Sequence, residues 1–423
     1  RSEKQLSKLV SSTSNPDQIV GLMVIHFDWP GSASTTLGRP IADDLLQAIS
    51  ERLRKINNTN DYIAHLNGDD FAILLNQVES PELVTERAIQ LLNELQKPLP
   101  LNEDYLLLSP QIGVSTWPND GQNSGDLLRN AYTAMFKSRI DDSEQLCIYS
   151  ADIGKQLAIR SQLEQALIHA IDRNEFEVYY QPQIKADSGQ VVGVEALLRW
   201  HNPKLGWISP ATFIPVAEHV GLIRSIGFWV LSTACHQLKQ WQSEGLPALR
   251  LAVNVSPLQF TDPKLSSGIQ EVILESGIDP NNLELEITEG SLMWDIDRAI
   301  DVMKKIKNEG MELAIDDFGT GYSSLSNLKL FPLDRLKIDQ SFTREIGKSK
   351  DATEITLTIL AMAKRLGMRI IAEGIETAEQ ASFLRSHGCD EFQGFLYSRP
   401  IPANQLMQLL KENPGNSKHP LQW

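Results

Sequence analysis

The sequence predicts an α/β protein in two parts: an α/β sandwich over residues 18–150, then a (β/α)8 barrel with one antiparallel strand over 158–412. Three observations predict it. The first part alternates apolar runs with helical spacing in the order βαββαβα, which builds a mixed or antiparallel sheet with helices against it. The second part carries eight strand-like runs separated by helical patterns, and about 250 residues is the usual size of such a barrel. Two of those runs, 177–184 and 191–200, are joined only by Lys185, Ala186, Asp187, Ser188, Gly189 and Gln190. That is too short for a parallel crossover, so one of the two must run antiparallel.

In order along the chain, Ile19 to Phe27 (IVGLMVIHF) reads as a buried strand and 43–56 as a helix. Residues 62–66 and 71–75 read as two strands around Asn67-Gly68, a hairpin turn pair. Residues 81–95 have helical spacing, 106–116 strand-like spacing, and 125–139 the pattern of an amphipathic helix. A linker over 151–157 overlaps a helix over 155–171. The remaining barrel strands are expected at 249–255, 283–288, 312–318, 335–339, 369–375 and 391–395. Residues 1–17 read as a linker or helix remnant, and 413–423, with Asn413, Pro414, Gly415 and Asn416, as a loop-like tail.

Hydrophobic residues at 42% and charged residues at 22% allow buried cores and exclude a disordered chain. Lys plus Arg number 39 against 54 Asp plus Glu, a net charge of −15, which repels a phosphate polymer and excludes DNA or RNA as partner. A small phosphate ligand stays open, because a metal ion reverses the local sign of an acidic pocket. Cys147, Cys235 and Cys389 are isolated, without a CxxC pair, which fits a reducing, cytoplasmic setting. There is no stretch of about 18 apolar residues and no secretory leader pattern. The chain begins at Arg1, so it is expected to be a fragment of a longer protein whose amino-terminal part holds a sensor or a membrane anchor.

The informative chemistry lies at strand ends of the second part. Glu195 lies in VVGVEALLRW, Asn254 ends LRLAVNV, Glu286 and Glu289 close LELEITE, Asp316 and Asp317 end ELAIDDF, and Glu373 ends RIIAEG. Each carboxylate alone reads equally as a surface or helix-capping residue. Five strands delivering oxygen ligands to one rim do not, because so many carboxylates repel by several kcal/mol unless a cation neutralises them. Oxygen ligands without clustered His or Cys favour Mg²⁺ or Mn²⁺ over structural zinc. His201, His219, His236 and His387 are scattered and read as core or surface residues. Asp316-Asp317 is followed by Phe-Gly-Thr-Gly, which lets the backbone bend so that both carboxylates reach a metal. Lys337 in RLKID adds a positive charge beside the rim; its alternative is a surface ion pair of little worth. Two metals held about 4 Å apart can activate water for in-line displacement at phosphorus, which makes phosphodiester hydrolysis the natural reaction class.

The segments YYQPQI, EALLRW, ISPATFIPVAE, NVSPLQF, LELEITE, IDDFGTGYSSL, LKIDQSF, IAEGIET and FQGFLYSRP, spread over about 158 to 410, together resemble an EAL-type cyclic di-GMP phosphodiesterase domain. The resemblance implies a modified TIM barrel with one antiparallel strand that uses Mg²⁺ or Mn²⁺, two ions, to open cyclic di-GMP to linear pGpG. It implies metal ligands at Glu195, Asn254, Glu286, Asp316, Asp317 and Glu373, none of them replaced. It implies catalytic roles for Glu195, Lys337, Asp339, Glu373 and Glu376, with Lys337 orienting the attacking water. Gln181, Leu197, Arg199, Asp317 and Gln393 match substrate contacts, Arg199 through its planar fork. Glu289 matches the support of the loop that runs from Asp316 to Ser324. A homodimer through the barrel follows from the same resemblance.

Residues 18–150 resemble a GGDEF-type diguanylate cyclase domain with a degenerate site. The signature has become Asn67-Gly68-Asp69-Asp70-Phe71, so Asn67 replaces a glycine and Asp70 is one methylene shorter than the expected Glu. His26 stands where the family has its first metal-binding aspartate, leaving Asp28 as the second. The following stretch has Pro30, Gly31, Ser34 and Thr35 in place of the lysine and the guanine-reading asparagine. Asp43 remains as a guanine contact, Arg139 stands for a lysine, and the inhibitory RxxD site is replaced by Asn58 and Asp61. Two-metal phosphoryl transfer does not tolerate this many losses. Two roles are left: a regulator that binds GTP, or a structural and dimerisation module, the second favoured because the GTP-reading residues are mostly gone. For the whole chain the expectation is an active phosphodiesterase with a degenerate cyclase-like partner. The rival readings are a cyclic di-GMP receptor that signals without hydrolysis and a bifunctional enzyme, which His26, Ser34 and Asn67 argue against.

Overall fold

In the computed structural model the described residues are 19–28, 39–57, 61–66, 69–101, 104–140, 144–246, 248–292, 295–319 and 328–412. The chain divides into two compact units, one up to Gln162 and one from Leu163. The first unit contains β1 (Ile19–Asp28), β2 (Tyr62–His65), β3 (Asp70–Val78), β4 (Leu99–Leu101), β5 (Asp104–Leu106), β6 (Ser109–Trp117) and β7 (Leu146–Ile148). Its main sheet has five strands in the order β2-β3-β1-β6-β7. Pairing is antiparallel except for the parallel β6–β7 pair, so the sheet is mixed as expected.

β1 is an unbroken apolar run because both of its faces are covered. Val20, Leu22 and Val24 pack with Leu127, Ala131 and Met135 of helix Ser124–Ile140, while Met23, Ile25 and Phe27 pack with helices Arg39–Ile56 and Pro81–Leu95. Ser80 caps the latter helix by accepting from Leu83 N, with Pro81 in the first turn, where its missing N–H costs nothing. Helix Ser124–Ile140 crosses β6 at Gly113, where an added Cβ would lie 2.0 Å from Met135 N and 2.1 Å from Ala131 O.

Several boundaries differ from the sequence expectation. The strand expected over 106–116 is split, with Leu106 ending β5 and Ser109 opening β6. β4, β5 and β7 were not expected, since three-residue strands are too short to show a period. The helix expected over 155–171 runs Ala151–Leu167, so 151–157 is helix rather than linker. Its apolar residues do not gather on one face, so their spacing gave no register. Residues 1–17, the tail 413–423 and the turn residues Asn67 and Gly68 lie outside the described residues.

The second unit contains β8 (Phe176–Lys185), β9 (Val191–Asn202), β10 (Gly206–Ile208), β11 (Arg250–Val255), β12 (Leu283–Thr288), β13 (Glu312–Phe318), β14 (Arg335–Ile338), β15 (Arg369–Ala372), β16 (Glu391–Phe392) and β17 (Ile401–Pro402). Eight of them close a barrel in the order β9-β11-β12-β13-β14-β15-β16-β8, with β8 returning to β9. β8 is the antiparallel strand, paired antiparallel with both β9 and β16. β14 ends at Ile338 rather than Asp339, whose carboxylate instead caps helix Gln340–Thr343 by accepting from Ser341 N at 2.9 Å. β15 and β16 are likewise shorter than expected, ending at Ala372 and Phe392.

Strand alternation places residues two apart on one face, and here the inward face is charged. Glu284, Arg335 and Glu391 lie toward the amino-terminal ends of the parallel strands, with Arg250 opening β11 beside them. Arg335, fully buried, meets Glu284 at 3.2 Å and Glu312 at 3.2 Å. Two residues further along come Glu286 and Lys337 on the same strands and Gln393 just past the end of β16. The barrel interior is therefore stacked in two polar layers, and the upper one opens on the carboxyl-terminal rim, where barrel active sites sit.

Gly113→Ala is expected to destabilise the first unit by about 3 kcal/mol or more, because the clash is with backbone that cannot rotate away. Denaturant unfolding of the full chain, followed by a probe in that unit, checks it.

Candidate active site

The rim is built around Lys337. Its side chain is fully buried, and Nζ lies 2.7 Å from Glu286 Oε2, 2.7 Å from Glu373 Oε1, 3.1 Å from Asp316 Oδ1 and 3.6 Å from Glu195 Oε2. Parallel register does the positioning: Glu195 stands level with Ala252, Asn254 with Glu286, and Thr288 with Asp316. Asp317 has φ +53°, a left-handed conformation uncommon for a side chain larger than glycine's. That turn ends the strand alternation, so Asp316, Asp317 and Glu373 bring ligand oxygens within 4.8 Å of one another. The bend expected at the following glycines thus begins two residues before Gly319, in Asp317 itself. Asp316 Oδ1 also accepts from Asp317 N at 3.0 Å.

The other predicted ligands join through neighbours. Asn254 Nδ2 donates to Glu195 Oε1 at 2.6 Å, and Gln393 Nε2 donates to Glu195 Oε2. Burial pushes the Glu195 carboxyl up, but Lys337 and these amide donors outweigh it and hold it below the usual range. Burial and the charge of Glu195 push Glu286 well up despite Lys337. Burial also raises Glu373 to about 8, and burial with Asp316 and Asp339 raises Asp317 to about 6. Lys337 is pushed up in turn, the carboxylates overcoming its burial. Burial and the mutual repulsion of these carboxylates are the condition a bound cation would relieve. Glu286 Oε1 is buried with no hydrogen-bond partner. An all-oxygen donor set with an unfilled buried acceptor fits a hard divalent cation.

Two clefts flank the cluster. One of about 280 Å³ is lined by Gln181, Leu197, Glu373, Glu376 and Phe395. The other, about 420 Å³ and mostly apolar, reaches Leu197, Arg199, Glu218, Asn254 and Asp317. Arg199 lies over the Tyr179 ring at 5.5 Å and donates to Leu198 O. Gln181 donates to Ser398 O at 3.0 Å, and Glu376 pairs with Arg344 at 3.3 Å on the exposed rim. Glu289 Oε2 accepts from Gly319 N at 3.2 Å, at the start of the loop whose residues 320–327 lie outside the described residues. Sequence reading missed Arg344, Gln340 and Phe395 on the first cleft and Glu218 on the second. Arg344 follows Gln340 by one helical turn, a spacing that could have placed it on the rim.

The EAL domain family model matches residues 164–400, and the diguanylate cyclase GGDEF domain model matches residues 1–145. The chain belongs to the EAL domain family, with a GGDEF domain ahead of the barrel. Curated relatives include the bifunctional diguanylate cyclase/cyclic di-GMP phosphodiesterase MucR of Pseudomonas aeruginosa, 35% identical over 405 residues, covering 96% of this chain and 59% of MucR. The cyclic di-GMP phosphodiesterase NbdA of the same organism is 34% identical over 404 residues, covering 95% of this chain and 51% of NbdA. The chain therefore spans little more than half the length of these relatives. Among solved structures, the MucR phosphodiesterase in complex with c-di-GMP is 42% identical, with a TM-score of 0.57 over 58% of this chain and 99% of that one. The EAL domain of Xanthomonas citri FimX in complex with c-diGMP is 25% identical, with a TM-score of 0.53 over 59% of this chain and 96% of that one.

In the GGDEF unit, register sets His26 of β1 opposite Asp70 of β3. His26 Nδ1 lies 2.7 Å from Asp70 Oδ1, and Tyr132 donates to Asp70 Oδ2 at 3.3 Å. Burial and Asp70 raise the Tyr132 hydroxyl to about 12. His26 of β1 and Asp70 of the signature thus meet each other. Asp61 pairs with Arg87 at 2.9 Å. Pro30, Gly31, Ser34, Thr35, Asn58 and Asn67 lie outside the described residues, as do the side chains of Asp28 and Asp43.

Lys337→Met is expected to destabilise the metal-free EAL unit by about 3–5 kcal/mol, since it strands buried carboxylates without their counter-charge. Saturating Mn²⁺ is expected to recover part of that loss, and denaturant unfolding with and without the ion measures both.

Proposed function

We propose that this chain hydrolyses cyclic di-GMP to linear pGpG in its EAL barrel, using two Mg²⁺ or Mn²⁺ ions, while its GGDEF domain makes no product. The observation that carries the reading is the buried cluster of Glu195, Glu286, Asp316 and Glu373 around Lys337, with Asp317 beside it, opening on two clefts. In this reading Glu195, Asn254, Glu286, Asp316, Asp317 and Glu373 would hold the ions. When bound, such a pair lowers the pKa of a water and stabilises charge developing on the phosphate.

The chain's own residues supply the rest. Lys337 is the fixed positive charge that orients the attacking water, with Asp339 and Glu376 beside it on the rim. Arg199, Gln181, Leu197 and Gln393 position the dinucleotide, the guanidinium fork suiting a phosphate oxygen pair. Two clefts on either side of the acidic cluster suit a ligand with two guanosine lobes around a phosphodiester. The water oxygen joins phosphorus, one P–O ester bond breaks, and the departing sugar oxygen takes up a proton. Glu289 holds Gly319 at the base of the loop after β13.

For the GGDEF domain, the contact between His26 and Asp70 supports the loss of cyclase activity, since both side chains are engaged where metal-ligating carboxylates would be needed. We assign it a structural role rather than a GTP-binding one. No helix among the described residues is long and apolar enough to cross a membrane. We extend the proposal to a cytoplasmic location for these two domains, an EAL-mediated homodimer and a sensor or membrane segment elsewhere in the whole protein.

Purified protein is expected to convert cyclic di-GMP to pGpG only with Mg²⁺ or Mn²⁺ present. In Glu195→Ala turnover is expected to fall more than about 100-fold, beyond the ~10–100-fold typical of residues that only support a ligand. Tight cyclic di-GMP binding without turnover would replace the enzyme by a receptor. GTP is expected to yield no cyclic di-GMP and to show no tight metal-dependent binding by calorimetry.

A further inference from the structure

Glu195 is held from below by a chain of amides whose direction is pinned at both ends, by the Ser398 carbonyl through Gln181 and by Arg250 through Gln183. Gln393 Nε2 donates to Glu195 Oε2 and, at 3.0 Å, to Gln181 Oε1. An amide has one donor end and one acceptor end, so Gln393 can do this only if its own oxygen faces away. That oxygen accepts from Gln183 Nε2 at 3.0 Å. Gln183 Oε1 is thereby turned toward Arg250, whose Nη2 donates to it at 2.6 Å. The guanidinium has no acceptor and keeps its proton, so this end of the chain cannot be reversed. Arg250 is anchored in the lower layer by Glu391, at 3.2 Å from Nη1 and 2.5 Å from Nη2, with Glu284 at 3.4 Å from Nε. Gln183 is fully buried, so water offers it no alternative partner, while Gln181, Gln393 and Glu195 border the first cleft.

β9 leaves room for the junction. Gly193 is level with Gln183 on one side and with Arg250 on the other. A Cβ there would lie 2.7 Å from Gln183 Oε1 and 3.2 Å from Arg250 Nη2.

We propose that Arg250 and Gln183 are positioning residues for Glu195: the guanidinium, together with the Ser398 carbonyl that orients Gln181, fixes the polarity of the Gln183–Gln393 relay so that N–H, not carbonyl oxygen, meets the Glu195 carboxylate. Reversed, the relay would set two acceptors face to face and push the carboxylate out of place. The inference rests on the reading of Glu195 as a ligand of the phosphodiesterase centre, and it accounts for the polar residues in the layer below the chemistry.

The test compares Gln183→Glu with Gln183→Met in the full chain. The glutamate keeps the shape and the acceptor for Arg250 but removes the donor, so it instructs Gln393 to turn the wrong way. The methionine gives no instruction. Mn²⁺ affinity by calorimetry is expected to fall by about 10–100-fold in Gln183→Glu and by less in Gln183→Met, with kcat following the same order and KM little changed. If the residues only fill space, the order reverses, since glutamate is the closer fit; that order, or wild-type affinity in both variants, overturns the proposal. Should Gln183→Glu not fold, Arg250→Lys, which keeps a donor that cannot accept, is compared with Arg250→Met of similar length: Mn²⁺ affinity near wild type in the first and lowered in the second supports the relay, and equal affinities overturn it. A wild-type chain that binds Mn²⁺ but releases no pGpG would refute the hydrolase reading while the affinity order still judges the relay; no Mn²⁺ binding at all overturns the relay too.

Discussion

An ammonium group buried at the top of a barrel has to be compensated, and the rim of this domain is arranged around that requirement. Lys337 reaches Glu286, Glu373, Asp316 and Glu195 within 3.6 Å, and in a low dielectric such attraction is repaid only when the geometry and the remaining hydrogen bonds are good. Arg335, two residues earlier on the same strand, is treated the same way by Glu284 and Glu312. Where a barrel of this type usually holds layers of branched apolar side chains, this one holds two layers of charge. Lys337 ties Glu195, Glu286, Asp316 and Glu373 together across the barrel strands.

The same chain shows how separable fold and site are. The GGDEF unit keeps the mixed sheet, the two-sided burial of β1 and the close helix crossing at Gly113. Those features depend on apolar pattern and on one missing Cβ, none of which involves the signature residues. His26 and Asp70 changed without disturbing them, because a histidine and a carboxylate facing each other across antiparallel strands satisfy one another. An ordinary cross-strand pair stands at these two positions within a complete sheet.

Much of the architecture was legible. All eight barrel strands were found because strand-like runs repeat regularly between helical patterns, and the six-residue connector Lys185–Gln190 required an antiparallel neighbour. Which strand that was could not be read, since the constraint is symmetric between the two; pairing of β8 with both β9 and β16 decides it. The misplaced helix at Ala151–Leu167 has its cause in apolar residues spread around the axis, which carry no phase. Strands of two or three residues, such as β7 and β17, owe their existence to a neighbour's free edge rather than to their own pattern.

By itself the sequence determined the fold class, the number of barrel strands and the set of acidic residues at their ends, because local alternation and residue identity carry that information. Tertiary structure decided how those residues meet. Asp317 reaches the cluster through its own left-handed turn, Asp339 turns to cap a helix, and Lys337, which alone reads equally as a surface charge, becomes fully buried. The link from Arg250 through Gln183 and Gln393 to Glu195 joins residues up to 210 apart in sequence, and only the closing of β8 onto β9 and β16 brings them into one hydrogen-bonded line. Directions of amides and neighbours across a barrel are properties of the closed sheet, and no spacing along the chain encodes them.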